Sequence, residues 1–535
     1  MSVRERVEVL HAELEPLLLA ANNAAWQQQT TGEERWEAES ARLDTEIRTV
    51  FSRRDAYEEL LAGRDGVADD PELARQVELL INAHRPNQLP PETIERIVTL
   101  EKALDTRFNT YRADLDGERV SDNRIREILE RSDDVELRRR AWEASKQIGA
   151  EVAADVLELV RIRNEAARSL GFETYYSMML GCDELDEREL FSLLDRVDEG
   201  TRTLFQAYKG SLDARLAERF GIGVDELRPW HYSDPFFQEA PAAEIDLDPW
   251  FADKDPVELT RRYFEAVGFE IDDLLARSDL YEREGKSQHA FCIHMDRGQD
   301  IRVLANLKPT EYWMNTMLHE FGHAVYDQHL DPSLPYFLRT VAHTLTTEAS
   351  AMLLGRLSRN AEWLIAYAGV PEGEAREAAA ALDRARAAGL LVSTRWQLVM
   401  CHFERALYRD PEQDLDSLWW RLVERFQFVR APEGRSAPDW AAKIHLAVAP
   451  VYYQNYLLGE MMASQLQAHV LDEVVGGGEE AWSRYVVSPE VGRYLRERLY
   501  RDGARRDWRG AITAATGRPL DPEPFVAELG LAVQD

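Results

Sequence analysis

Charged and apolar residues recur at helical spacing through most of the first 230 positions, in long runs with few glycines. No Gly/Ser-rich linker or short repeat interrupts them, so the pattern predicts long amphipathic helices. The clearest break is 231–256, where Pro241, Pro249 and Pro256 stand among Asp and Ala. One stretch has the shorter period of a strand. Gln288–Met295 reads as one arm of a hairpin, Asp296-Arg297-Gly298 as its turn and Asp300–Ala305 as its return. Lys308-Pro309-Thr310-Glu311 then reads as a helix start with Thr310 as N-cap. Trp313, Met314, Met317, Leu318, Phe321 and Val325 continue it as an apolar stripe, and Asp331-Pro332 ends it. A second helix opens at Thr346-Thr347-Glu348-Ala349, with Glu348 in its first turn. The fold class expected is mainly α, with one small β-hairpin beside the helix that begins at Thr310.

That helix carries His319-Glu320-Phe321-Gly322-His323. Residues four apart share a helix face, so His319 and His323 present two imidazoles to one metal ion. Glu320, one step round, is placed to take a proton from a water on that metal. Two neutral nitrogens and a carboxylate base are what a hydrolytic zinc centre needs. Such a centre takes a third protein ligand, normally from another element. Glu348, 25 residues past His323, is the candidate. Asp327, on the face of His323, and Asp331 are the rivals; Asp327 fits better behind the ligands or in solvent. The cofactor expected is one Zn2+ per chain. A hairpin running directly into a zinc helix also has a use, because a strand edge can hold an extended peptide by main-chain hydrogen bonds.

With 535 residues and 45% hydrophobic positions, the chain can bury a large core. Its net charge of −33 argues against nucleic acid and anionic membrane surfaces as partners. Only seven lysines occur, so the acidity reads as a solvated shell. Three scattered cysteines, Cys182, Cys292 and Cys401, suggest no disulfide framework. The amino terminus lacks an apolar signal-peptide stretch, and no segment approaches the roughly eighteen apolar residues of a membrane span. A cytoplasmic protein is expected, of undetermined oligomeric state.

The zinc motif with its downstream Glu348 resembles the gluzincin peptidases, and among them the superfamily joining angiotensin-converting-enzyme-type peptidyl-dipeptidases with thimet and oligoendopeptidase-type enzymes. Ala21-Asn22-Asn23-Ala24-Ala25-Trp26 with Thr30-Thr31 resembles the first lid helix of the converting-enzyme group, and residues 141–177 resemble a helical pair of the same group. Lys443-Ile444-His445 followed by Pro450-Val451-Tyr452-Tyr453-Gln454-Asn455-Tyr456 is similar to its substrate-binding and transition-state segment. The spacing from the zinc helix to Glu348 is closer to the thimet branch. On composition alone, tyrosines so spaced are more often core residues with a satisfied hydroxyl.

The resemblance implies a large, two-lobed helical peptidase with a deep central cleft. Its amino-terminal lobe, 1–230, would include lid helices, and 231–535 would be the catalytic lobe, the whole forming one continuous peptidase unit. It implies Tyr456 as transition-state donor, with His445 supporting it, and Lys443 and Tyr453 as the grip on a substrate's terminal carboxylate. It also implies Ala290 contributing backbone contacts and His289 touching a substrate carbonyl. Short peptides would be the substrates, cut to release carboxyl-terminal dipeptides. The alternatives are an oligoendopeptidase cutting interior bonds and a catalytically silent peptide-binding protein, against which the intact Glu320 argues. Two departures stand out. Asn455 occupies the place of an arginine tied to chloride dependence. The glutamine that helps clamp the carboxylate has no evident counterpart at Trp230-His231-Tyr232.

Overall fold

The computed structural model describes residues 1–241 and 245–533; residues 242–244, inside the proline-rich break, and 534–535 lie outside the described residues. The fold is mainly α, and among the described residues β structure is confined to two antiparallel hairpins. The elements used below are α1 (Val3–Thr31), β1 (Ala113–Leu115), β2 (Glu118–Val120), α2 (Val135–Ser169), β3 (Phe291–His294), β4 (Ile301–Leu304), α3 (Glu311–Gln328), α4 (Thr344–Gly355), α5 (Glu372–Arg409) and α6 (Gln454–His469). Among the described residues no helix is long and apolar enough to cross a membrane.

The chain forms two compact units, each from three stretches. The first comprises Met1–Gln88, Glu244–Asp383 and Leu458–Phe525. Its α1 begins at a capping box, Ser2 accepting the Glu5 N–H while Glu5 accepts that of Ser2. The apolar face of α1, with Val7, Leu10 and Leu14, packs on Tyr57, Leu60, Val77 and Leu80. Further along α1, Trp26 packs with Met295 and Leu304 of the hairpin region.

The hairpin β3–β4 pairs Phe291 with Leu304 and His294 with Ile301. It is shorter at both ends than the alternation predicts, so His289 and Ala290 lie just before β3. Lys286 explains part of this. Its buried ammonium group donates to the carbonyls of Asp279, Tyr281 and Ala305, which draws the approaching chain out of the strand path.

Helix α3 forms where the apolar stripe places it, with Thr310 capping the Trp313 N–H. Met314, Met317, Leu318, Phe321 and Val325 are all fully buried. α3 and α4 cross at Gly322, where an added Cβ would meet the Ala351 Cα at 2.8 Å. Only glycine permits that approach. Helix α4 starts two residues earlier than its sequence suggests, because His343 serves as N-cap, its Nδ1 accepting the Leu345 N–H at 3.0 Å. Glu348 therefore sits in the second turn.

The second unit comprises Leu89–Ala243, Arg384–Leu457 and Val526–Asp535. Its spine is α2, along which Trp142, Val152, Val156, Leu159 and Val160 are buried. Arg138 on α2 is fully buried and donates to the carbonyls of Ser132, Trp230 and Tyr232. It ties 230–232 to the helix. The turn Asp439–Ala442 crosses α2 at Gly149, where a Cβ would lie 2.4 Å from the Pro438 carbonyl oxygen. That crossing delivers Lys443 to its place.

Candidate active site

The first unit brings His319, His323 and Glu348 together, one ligand atom from each lying within 4.8 Å of the others. The imidazoles stand at a 4.9 Å centroid separation, nearly perpendicular, as i,i+4 spacing on α3 requires. The Nε2 of His319 lies 3.9 Å from Glu348 Oε2. Around a tetrahedral zinc, ligand atoms sit about 3.4 Å apart, so this pair needs to close by roughly 0.5 Å to share the ion. His323 donates or accepts through Nδ1 at 2.7 Å to the Thr347 hydroxyl, which leaves Nε2 for a metal. Two imidazoles and one carboxylate match a catalytic zinc set rather than the all-oxygen shell of calcium or magnesium. The residues present fit the ion.

Burial dominates the electrostatics. It lowers His319 to about 4; burial and then the adjacent His319 lower His323 to about 3. Both imidazoles are therefore neutral at pH 7, the form that ligates. Burial first, and the Glu348 carboxylate second, push Glu320 up to about 8, with the nearby Cys292 N–H of β3 acting in the opposite direction. Glu348 rises to about 7 through burial and its neighbour Glu460. A divalent cation would oppose both carboxyl shifts.

Glu320, on α3, thus lies near β3. The strand is held from its other end by α1, since Asn22 donates through Nδ2 to the carbonyls of His294 at 3.2 Å and Met295 at 3.0 Å. The asparagine of the amino-terminal motif has a mechanical role. His289 is exposed and Ala290 half-buried, on the approach to β3. Asp327 does not reach a ligand imidazole; it faces His294 Nδ1 at 3.6 Å. Thr347 stands behind His323 instead. A hydroxyl beside a proposed ligand carries no sequence signal, which is why it escapes a reading by residue type.

The second unit carries Lys443, His445, Tyr453 and Tyr456, the last in the first turn of α6. The rings of His445 and Tyr453 are 4.9 Å apart, and those of Tyr453 and Tyr456 5.6 Å. The Tyr453 hydroxyl accepts from Trp396 Nε1 at 3.1 Å. Burial, and then Lys443, lower His445 to about 4. Burial brings Lys443 down to about 8. Its Nζ lies 5.3 Å from the Trp396 ring centroid and 5.9 Å from that of Tyr453.

Lys443 Nζ also donates to Gln238 Oε1 at 2.8 Å. The sequence comparison finds no glutamine at 230–232; the structure supplies one six residues further on. Gln238 gets there through a turn organised by the buried Asp234, whose carboxylate accepts the N–H groups of Phe236, Gln238 and Glu239. Gln427 Nε2 donates to the Phe236 and Phe237 carbonyls and closes the turn. Lys443, Gln238, Phe236, Ile148, Tyr111 and Arg126 line a cavity of about 260 Å³.

Comparison with known families divides the chain in two. Residues 275–531 match the family model described as Peptidase family M3, and residues 2–227 match the one described as Angiotensin-converting enzyme. Both are families of zinc metallopeptidases. The Asn22 motif and the helical pair 141–177 fall in the second match. The zinc motif, Glu348 and also the 443–456 segment fall in the first.

Proposed function

We propose that this chain, a gluzincin peptidase related to both the angiotensin-converting-enzyme family and peptidase family M3, hydrolyses short peptides by releasing dipeptides from their carboxyl termini. The observation that carries the finer reading is the Lys443–Gln238 pair. A cation and an amide side by side, walled by aromatic rings, form a receptor for one carboxylate. Tyr453 would complete it. A substrate anchored by its terminus presents a bond at fixed distance from the anchor.

Zinc held by His319, His323 and Glu348 would supply Lewis acidity toward the scissile carbonyl and acidify water. Glu320 would take the proton of the attacking water and deliver it to the leaving amine. Tyr456 and His445 would donate to the oxyanion, a contribution worth about 3 kcal/mol for a well-aimed donor. The edge of β3, with Ala290 and His289 ahead of it, would hold the substrate main chain. Asn22 fixes that edge from α1, and the amino-terminal helices would restrict entry to short peptides. Three free cysteines support action in a reducing compartment, the cytoplasm.

A second reading, cleavage at interior bonds, rests on the resemblance of the spacing between the zinc helix and Glu348 to the thimet branch, within the half of the chain that matches peptidase family M3. Product masses from a mixed peptide library separate the two. Dipeptides from free-acid substrates support the first; interior cuts, equally fast on amidated peptides, establish the second.

A further inference from the structure

Glu404 on α5 is buried, at 2% exposure, and none of the roles above falls to it. Its carboxyl oxygen accepts the Val451 N–H at 2.8 Å. Val451 is itself buried and has φ of 58°, the left-handed region. A β-branched side chain adopts that conformation only under constraint. The Val451 carbonyl in turn accepts from Gln454 Nε2 at 2.6 Å. Both polar groups of the strained peptide are thus held by side chains rather than by regular backbone pairing. Tyr453 follows two residues later and Tyr456 five. On the other side of the turn, the fully buried Arg163 donates to the Ala447 carbonyl at 2.8 Å. The stretch from His445 to Tyr456 is fastened at Ala447 and Val451, and its only strained residue among those described, Val451, lies between His445 and Tyr453.

We infer that Glu404 is a positioning residue: by accepting the Val451 N–H it holds the left-handed turn that aims Tyr453 and Tyr456. The inference rests on the roles assigned to those tyrosines above. Glu404 itself touches no substrate. Without its oxygen, the Val451 N–H is a buried donor with no partner and the strained φ loses its support. The turn then relaxes toward negative φ, and the start of α6 rotates with it.

A cycle of Glu404→Leu and Val451→Gly in the zinc-loaded enzyme tests this, because glycine adopts the left-handed conformation freely. With valine at 451, Glu404→Leu is expected to lower kcat on a free-acid peptide by about tenfold or more, and with glycine at 451 by less than about threefold. Amide hydrogen exchange across residues 447–456 should rise in Glu404→Leu and not in the double variant. Glu404→Gln keeps an acceptor oxygen and should stay within about twofold of the parent. Equal losses in both backgrounds, or unchanged exchange, overturn the inference. If exchange responds as expected while kcat does not, the clamp stands and the role given to Tyr456 fails. Should the leucine variant fold in neither background, Glu404→Gln decides: activity within twofold upholds the clamp, and a tenfold loss overturns it.

Discussion

The Nδ1 of His323 lies 2.7 Å from the hydroxyl of Thr347, the residue immediately before Glu348. One hydrogen bond therefore links the two helices that carry the proposed metal ligands, and links them beside those residues. It would set which imidazole nitrogen is free for an ion, so that the proposed third ligand and the orientation of the second would be adjusted together.

Removing that hydroxyl should weaken metal binding before it affects anything else. Thr347→Val is expected to lower zinc affinity about 10-fold to 100-fold, and Thr347→Ser to restore most of it. Competition against a chromophoric chelator measures this directly. Equal affinity in the valine variant would show that packing alone orients His323.

Glu320→Gln should retain zinc and lose nearly all peptidase activity, since an amide cannot accept the water's proton. Tyr456→Phe should lower kcat roughly 10²-fold with little change in KM. A rise in KM alone would reassign Tyr456 to substrate binding.

The proposed carboxylate receptor makes a prediction about substrates. Lys443→Met or Gln238→Leu should cost about 2 kcal/mol in kcat/KM on free-acid peptides, more for the lysine, and almost nothing on amidated ones. Amidation itself should cost the parent enzyme a similar amount. Indifference to both changes points to the interior-cutting reading.

Gly322→Ala tests the crossing of α3 and α4. The new methyl group meets backbone at 2.8 Å rather than a movable side-chain end. A destabilisation of about 1–3 kcal/mol is expected, with weaker zinc binding because the ligand-bearing helices move apart. Thermal melts with and without zinc report both effects.

Acid should destabilise the fold through buried histidines outside the metal site. Burial brings His231, normally near 6.5, down to about 4, and His402 likewise to about 4. The folded state binds these protons less readily than the unfolded chain. Their contribution is thus complete above pH 6.5 and is lost as pH falls toward 4, by about 3 kcal/mol at most for each. The Tm of His231→Asn should fall less steeply than that of the parent across this window. Identical slopes would place the acid sensitivity elsewhere.

What the sequence determined by itself is what depends on near neighbours along the chain. The pairing of His319 with His323 follows from helical periodicity, and the Thr310 cap and the buried stripe of α3 follow from local side-chain chemistry. The hairpin was legible from its alternation, although the buried Lys286 shortened it. Glu348 was legible as a carboxylate near the start of the next helix; His343 then moved that start by two residues. The tertiary structure alone decided which groups from distant parts of the chain meet. Gln238 reaches Lys443 across 205 residues, through a turn held by the buried Asp234, and no periodicity announces such a contact. Glu404 reaches Val451 across 47 residues to hold a backbone conformation that valine does not choose alone. Periodicity reports which face of an element is buried; which side chain lies opposite it, and which strained turn that partner supports, is set by the packing of the whole chain.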